Sequence, residues 1–427
     1  MLALWMALPH PVEVQAAETV HATVNNIQQM NKALGGNHKI KGNRLILQSD
    51  VTLDTKCDIA IQSTKPFEMT LDMNGKTIRN KSGIFFKTEV PYNVKLRKWT
   101  FTVTGSGKMV SAVGIFDDSC WYASLDLVLA GDIDYHASGF LFSAYGTITI
   151  KKGTLHKRPN KDFTVGKTYG SLVMEGGKIE GAVALATDME MTGGTVDEIL
   201  GDIESVPVIT MRGGTVKGKV DECCLTMYGG KIGSFATGLE GYLVLYGGTV
   251  EKGVTLGDEC GMTMRGGTIK GKGVDLKGEL CEMKMTGGKI IADDSIAVKC
   301  LHRAKFRFGG GTIAVTKKNA VGIYGDATAR VVLLNGTIKQ KHNTGKYAIQ
   351  LTKKNPFDMK GANLYMKGEK GQRVHTTGFK YALKRNAASK VSMSKNTKIS
   401  CPKNSKKSYT SSSKLPTSIK GNMLVKF

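Results

Sequence analysis

Four side chains fall at one place in a repeating pattern. Arg212, Tyr228, Tyr246 and Arg265 each stand one residue before a glycine pair. Tyrosine rings stack on sugar rings, and guanidinium groups donate paired hydrogen bonds to carboxylates or hydroxyls. The run is a candidate ligand-binding strip, and equally a self-stacked cover for a sheet. A second set is acidic. Glu222, Glu240 and Glu259 stand seven residues before a pair, and Asp221, Asp258 and Glu279 stand eight before. Stacked carboxylates serve a calcium site, a general acid/base pair or a solvated charged edge. The reading taken is a charged edge or weak calcium site, so no catalytic residue is assigned and calcium is the one cofactor left open.

The eight histidines are scattered and form no catalytic arrangement with Ser, Cys or Asp. No Cys/His spacing indicates zinc. The glycine pairs repeat as turns, not as phosphate loops. Of eight cysteines, Cys223, Cys260 and Cys281 stand six residues before a pair. Alternation turns that position inward, so they read as a small apolar ladder. The even count in an exported chain also permits disulfides.

The elements that position these residues are copies of one phrase: apolar, any, apolar, any, Gly, Gly, Thr or Lys, Ile or Val. Its anchors are Gly176, Gly193, Gly213, Gly229, Gly247, Gly266, Gly287, Gly310 and Asn335. Apolar alternation marks a strand with one buried face. The glycine pair marks a sharp bend with positive φ, for which Asn335 is read as the substitute. A unit of about 20 residues cannot bury its own apolar face, but stacked copies can. Strands repeating in one direction pair as parallel ladders. Degraded copies begin at Leu71, Thr104, Leu127, Ile148 and Met359, giving about 14 coils.

The repeat resembles the right-handed parallel β-helix of the pectin-lyase-like superfamily, especially secreted Gly-Gly-Thr-Ile repeat surface proteins. The resemblance covers roughly residues 40–365 and implies an all-β chain built as a single right-handed parallel β-helix. That superfamily includes polysaccharide lyases, glycosidases and adhesins, so the fold alone does not select an activity. A lyase of the pectate type needs calcium carboxylates beside a proton-accepting Arg or Lys, and an inverting glycosidase needs close Asp residues. Neither motif set is found.

Residues 1–17 read as a signal-peptide remnant and 18–40 as an N-terminal capping segment. Within it, 23–34 has helical spacing at Val24, Ile27, Met30 and Leu34. Residues 41–365 are the β-helix. Residues 366–427 are a basic Lys/Ser-rich segment, with 12 Lys or Arg and no acid from Thr377 onward, half of the net +24. No apolar run is long enough to span a membrane. The expectation is a secreted or cell-surface, monomeric, carbohydrate-binding or adhesin-like rod. Its partner would be a polysaccharide or anionic envelope polymer, with no specific nucleic acid. The alternative is a polysaccharide lyase or glycoside hydrolase, its site lying between the acidic cluster and the Arg-Tyr strip.

Overall fold

A computed structural model describes residues 22–53, 59–61, 66–81, 86–88, 99–117, 125–137, 142–143, 146–157, 163–168, 170–326, 328–351, 363–366, 373–385, 390–393, 398–400 and 423–426. The signal-peptide remnant and Met359 lie outside these residues. The described residues form a parallel β-solenoid with three faces per coil; in some coils, as at Lys231–Leu239, one long strand serves the second and third faces. One coil illustrates the pattern. Tyr242–Leu245 lies on the first face, Thr249–Val250 on the second and Val254–Asp258 on the third, before Gly261–Met264 returns to the first. Each strand pairs with its counterpart one coil on, as Tyr242↔Gly261, Thr249↔Thr268 and Val254↔Val274.

The inward residues follow from alternation. In Met262-Thr-Met264 both methionines are fully buried and Thr263 faces out. Ile179, Val196, Val216, Ile232, Val250 and Ile269 form one continuous buried row along the second face. Burying each such side chain contributes about 1.5–3 kcal/mol.

The two glycines of each pair serve different needs. The second takes positive φ, +77° at Gly214. The first has ordinary φ but no room: a Cβ on Gly213 would sit 2.2 Å from the Thr192 carbonyl oxygen of the preceding coil. Asn335 occupies the first position and has no positive φ, while Gly336 carries it at +127°. Asn335 is therefore not a substitute for positive φ, which corrects the sequence expectation.

Among the described residues the first face holds sixteen parallel strands, from Arg44–Ile46 to Lys390–Met393. Two lie beyond the fourteen coils expected, at the first and last rungs, and neither is followed by a glycine pair. At about 4.8 Å per rung the stack is about 70 Å long. The ladder also crosses residue 365: Arg373–Thr377 pairs with Gly336–Gln340, and Lys398–Ser400 pairs with Arg373–Thr377. Met423–Lys426 then runs antiparallel along Phe379–Arg385.

A helix at Ile27–Ala33 (α1) stands at the N-terminal end, shorter than the expected 23–34. Asn26 caps it by accepting from the Gln29 amide at 2.9 Å. Residues 22–24 instead form a strand that pairs with Ile59–Ile61. Met30 and Leu34 are buried in the common core, so the helix covers apolar surface at that end. Among the described residues no helix is long and apolar enough to cross a membrane.

Candidate functional site

The Arg-Tyr-Tyr-Arg strip assembles at the corner between the first and second faces. Each member follows a first-face strand and donates its backbone N–H one coil back, as Tyr228 does to Met211 O at 2.8 Å. Parallel register therefore stacks the side chains. The Tyr228 and Tyr246 rings lie 4.9 Å apart and 3° from parallel. Arg212 lies over Tyr228 at 4.8 Å and Arg265 over Tyr246 at 5.2 Å. Both faces of each ring are thus covered, so sugar stacking on these two faces, the use expected from sequence, is blocked. Ring edges, hydroxyls and guanidinium groups remain, with Tyr228 47% and Tyr246 39% exposed. Arg212 also meets Glu190 at 3.3 Å, whereas Arg265 has no carboxylate partner among the described residues.

A different aromatic, Tyr242, stands at the opposite edge of the first face, four residues and roughly 13 Å before Tyr246. Tyr242, on the first face, rests against the next coil where Gly261 leaves space: a Cβ there would sit 2.3 Å from the ring. Its hydroxyl hydrogen-bonds Thr263 Oγ1 at 2.5 Å, which ties the ring to the next coil. The residue stays 39% exposed. Outward Thr226, Val244 and Thr263 complete a nearly uncharged floor. The signal for Tyr242 was the small residue one coil later at the same register, which the glycine-pair alignment passes over.

The acidic residues line the corner between the third and first faces. Glu222, Glu240 and Glu259 have φ of +51°, +54° and +57°, and Leu280 shares that position at +57°. Leu280 carries no charge, so the conformation belongs to the turn. Glu222 accepts from the Gly238 amide at 3.0 Å, Asp258 from the Glu279 amide at 2.6 Å, and Asp221 meets Lys219 at 2.5 Å. No three of the six bring ligand oxygens within 4.8 Å of one another. Glu240 and Tyr246 stand at opposite edges of the first face, six residues and roughly 20 Å apart along the chain. The structure does not bring the acidic set and the strip into one site.

A cleft of about 510 Å³ opens instead on the third face, lined in part by Lys252, Lys272, Lys299, Asp275 and Asp294. Asp275 and Lys299 lie 3.6 Å apart, and Asp275 Oδ1 is buried with no hydrogen-bond partner.

Cys223, Cys260 and Cys281 are free and buried, as the ladder reading expects, with Gly241 at that position in the coil between the first two; Cys300, also buried, lies on the third face opposite Leu276. Cys57, Cys120 and Cys401 lie outside the described residues. Burial pushes the Cys281 thiol up to about 11 and raises Cys223, Cys260 and Cys300 too. Such thiols are inert as nucleophiles.

One cluster escaped the sequence reading. Asp134, His136 and His156 converge on the second face, each offering a ligand atom within 4.8 Å of the others. Alignment on the glycines places Ile133 opposite Leu155, but the ladder pairs Tyr135 with Leu155. The two-residue shift preserves which side each residue faces and changes its neighbours, bringing His136 beside His156. Burial, then the His156 ring and Lys108, hold His136 below the usual histidine range.

Comparison with protein-family models, with curated proteins and with solved structures finds no match.

Proposed function

We propose that the chain is a secreted or cell-surface member of the pectin-lyase-like superfamily that binds acidic polysaccharide without cleaving it. The observation that carries this reading is Tyr242, a partly exposed ring whose hydroxyl is tied to the next coil, with uncharged Thr226, Val244 and Thr263 as outward neighbours. Such a ring offers the stacking surface that pyranose C–H groups require. Along the opposite edge of that face, about one strand length from Tyr242, Arg265 presents guanidinium donors suited to a uronate carboxylate, and the Tyr228 and Tyr246 hydroxyls add polar contacts. The net +24 favours an anionic polymer by long-range attraction. Of the acidic residues, Glu222 and Asp258 accept from backbone amides and Asp221 pairs with Lys219, and no three of the set converge, which supports a binding role over hydrolysis.

Affinity electrophoresis through native gels cast with neutral and acidic polysaccharides tests this. The expected result is retardation by an acidic polymer that survives raised salt, with no loss of stained polymer. Retardation that salt abolishes would assign binding to charge alone. Cleared bands would make the protein a lyase or hydrolase.

A further inference from the structure

The second face carries an arrangement unrelated to the polysaccharide reading. The strand Asp132–Ala137 buries Ile133, Tyr135 and Ala137 and turns Asp134 and His136 outward. One coil on, Leu155 is buried and His156 faces out beside His136, their rings 4.1 Å apart and 7° from parallel. His156 Nε2 lies 3.1 Å from Asp134 Oδ1, and its Nδ1 lies 3.0 Å from Glu180 Oε2. Glu180, in the following coil, is itself held by Lys178 Nζ at 2.5 Å.

From this geometry we infer that Asp134, His136 and His156 form a binding site for a divalent transition-metal cation, with Zn²⁺ as the reference ion. Two imidazoles and one carboxylate are a donor set that suits zinc, copper or nickel over calcium or magnesium. Glu180 supplies what such sites need behind the ligand: a carboxylate accepting from Nδ1 of His156, which leaves Nε2 to face the metal. The donors lie within 4.8 Å of one another, whereas tetrahedral zinc with bonds of about 2.0–2.1 Å needs them roughly 3.3 Å apart. Binding therefore draws the side chains together. Asp134, at 56% exposed, and His156, at 29%, have room to do so on an open surface. Three protein ligands leave a coordination position facing solvent. Because the ligands come from two adjacent coils, the ion also clips those coils together. Lys108, one rung before Asp134, and Lys178, two rungs after it in the same column, hold the affinity down.

The test is Zn²⁺ titration of the chelator-treated, untagged full chain by calorimetry. It compares the wild type with His136→Ala, His156→Ala, the double variant and Glu180→Gln. The wild type is expected to take up one equivalent that both single His variants lose or bind at least about 10-fold more weakly. Glu180→Gln keeps the equivalent with affinity reduced about 10-fold. Melting temperatures without metal check that the variants fold, and zinc raises the melting temperature of the wild type but not of the double variant. Co²⁺ in place of Zn²⁺ gives a readout on the wild type alone, visible bands without thiolate charge transfer. Equal zinc stoichiometry and affinity in the wild type and double variant would overturn the assignment. So would a thiolate band, which would place the metal on cysteine.

Discussion

Gly213→Ala probes why the coils can lie so close. The new Cβ would stand 2.2 Å from Thr192 O, whereas ordinary contact begins at 3.4 Å. That oxygen is backbone, so no rotamer relieves the overlap, and the coils must part by more than 1 Å. The displaced rung carries Arg212 N–H to Met191 O at 2.8 Å and Thr215 N–H to Gly194 O at 2.9 Å. Weakening two hydrogen bonds costs about 1 kcal/mol each, and overpacking adds about 1–3 kcal/mol. The expected loss is about 3–5 kcal/mol. Gly42→Ala is the control. Its φ is +63° but its Cβ meets nothing within 4 Å, so it bears only the left-handed penalty of about 1–2 kcal/mol, less about 0.4–1 kcal/mol from the stiffer unfolded chain. Guanidinium unfolding followed by circular dichroism compares the midpoints, which hold meaning even where a repeat array unfolds in steps. If Gly213→Ala lowers the midpoint no more than Gly42→Ala, close coil approach is not what the first glycine secures.

Three further outcomes are expected. A double-mutant cycle on Tyr228→Ala and Tyr246→Ala should give a coupling of about 0.5–1.5 kcal/mol; additive effects would mean the stack is incidental. Stability should fall in alkali. Cys223, Cys281 and Cys300 keep their protons to higher pH when folded than the ordinary 9.0, because burial raises them. Their contribution is complete below pH 9.0 and is lost as pH rises, by about 1.4 kcal/mol per pH unit for each thiol. Melting temperatures from pH 8.0 to 10.5 measure this, and Cys300→Ala should flatten the slope; an unchanged slope would refute the linkage. In the native state a maleimide should modify half-buried Cys224 before Cys223, Cys260, Cys281 or Cys300, as peptide mapping would report.

The solenoid was legible in Leu172 to Ile338 because each first-face strand there but the last is followed by a glycine pair, and the pair is required twice over, by φ and by space. The strand pattern at Leu45-Ile-Leu was legible but not counted as a coil, and Lys390–Met393 was not seen, because their turns lack the pair. The Arg212-Tyr228-Tyr246-Arg265 stack was legible because equal offsets from an anchor become neighbours in a parallel ladder. Its consequence was not: rungs one strand apart consume each other's ring faces. Tyr242 escaped notice because its openness depends on Gly261, a residue in another coil. His136 and His156 escaped because register, set by buried Tyr135 and Leu155, departs from the glycine alignment by two residues. Single-chain spacing specifies which side a residue faces; which residue lies beside it is decided by turn length.

The most direct measurement is the affinity of the wild type, Tyr242→Ala and Arg265→Ala for polygalacturonate, by calorimetry at about 0.15 M and 1 M salt. The account predicts saturable binding in the wild type at both salt concentrations, weakened at least about 10-fold by Tyr242→Ala and, more strongly at low salt, by Arg265→Ala. Equal affinities in all three proteins, vanishing together at high salt, would contradict it.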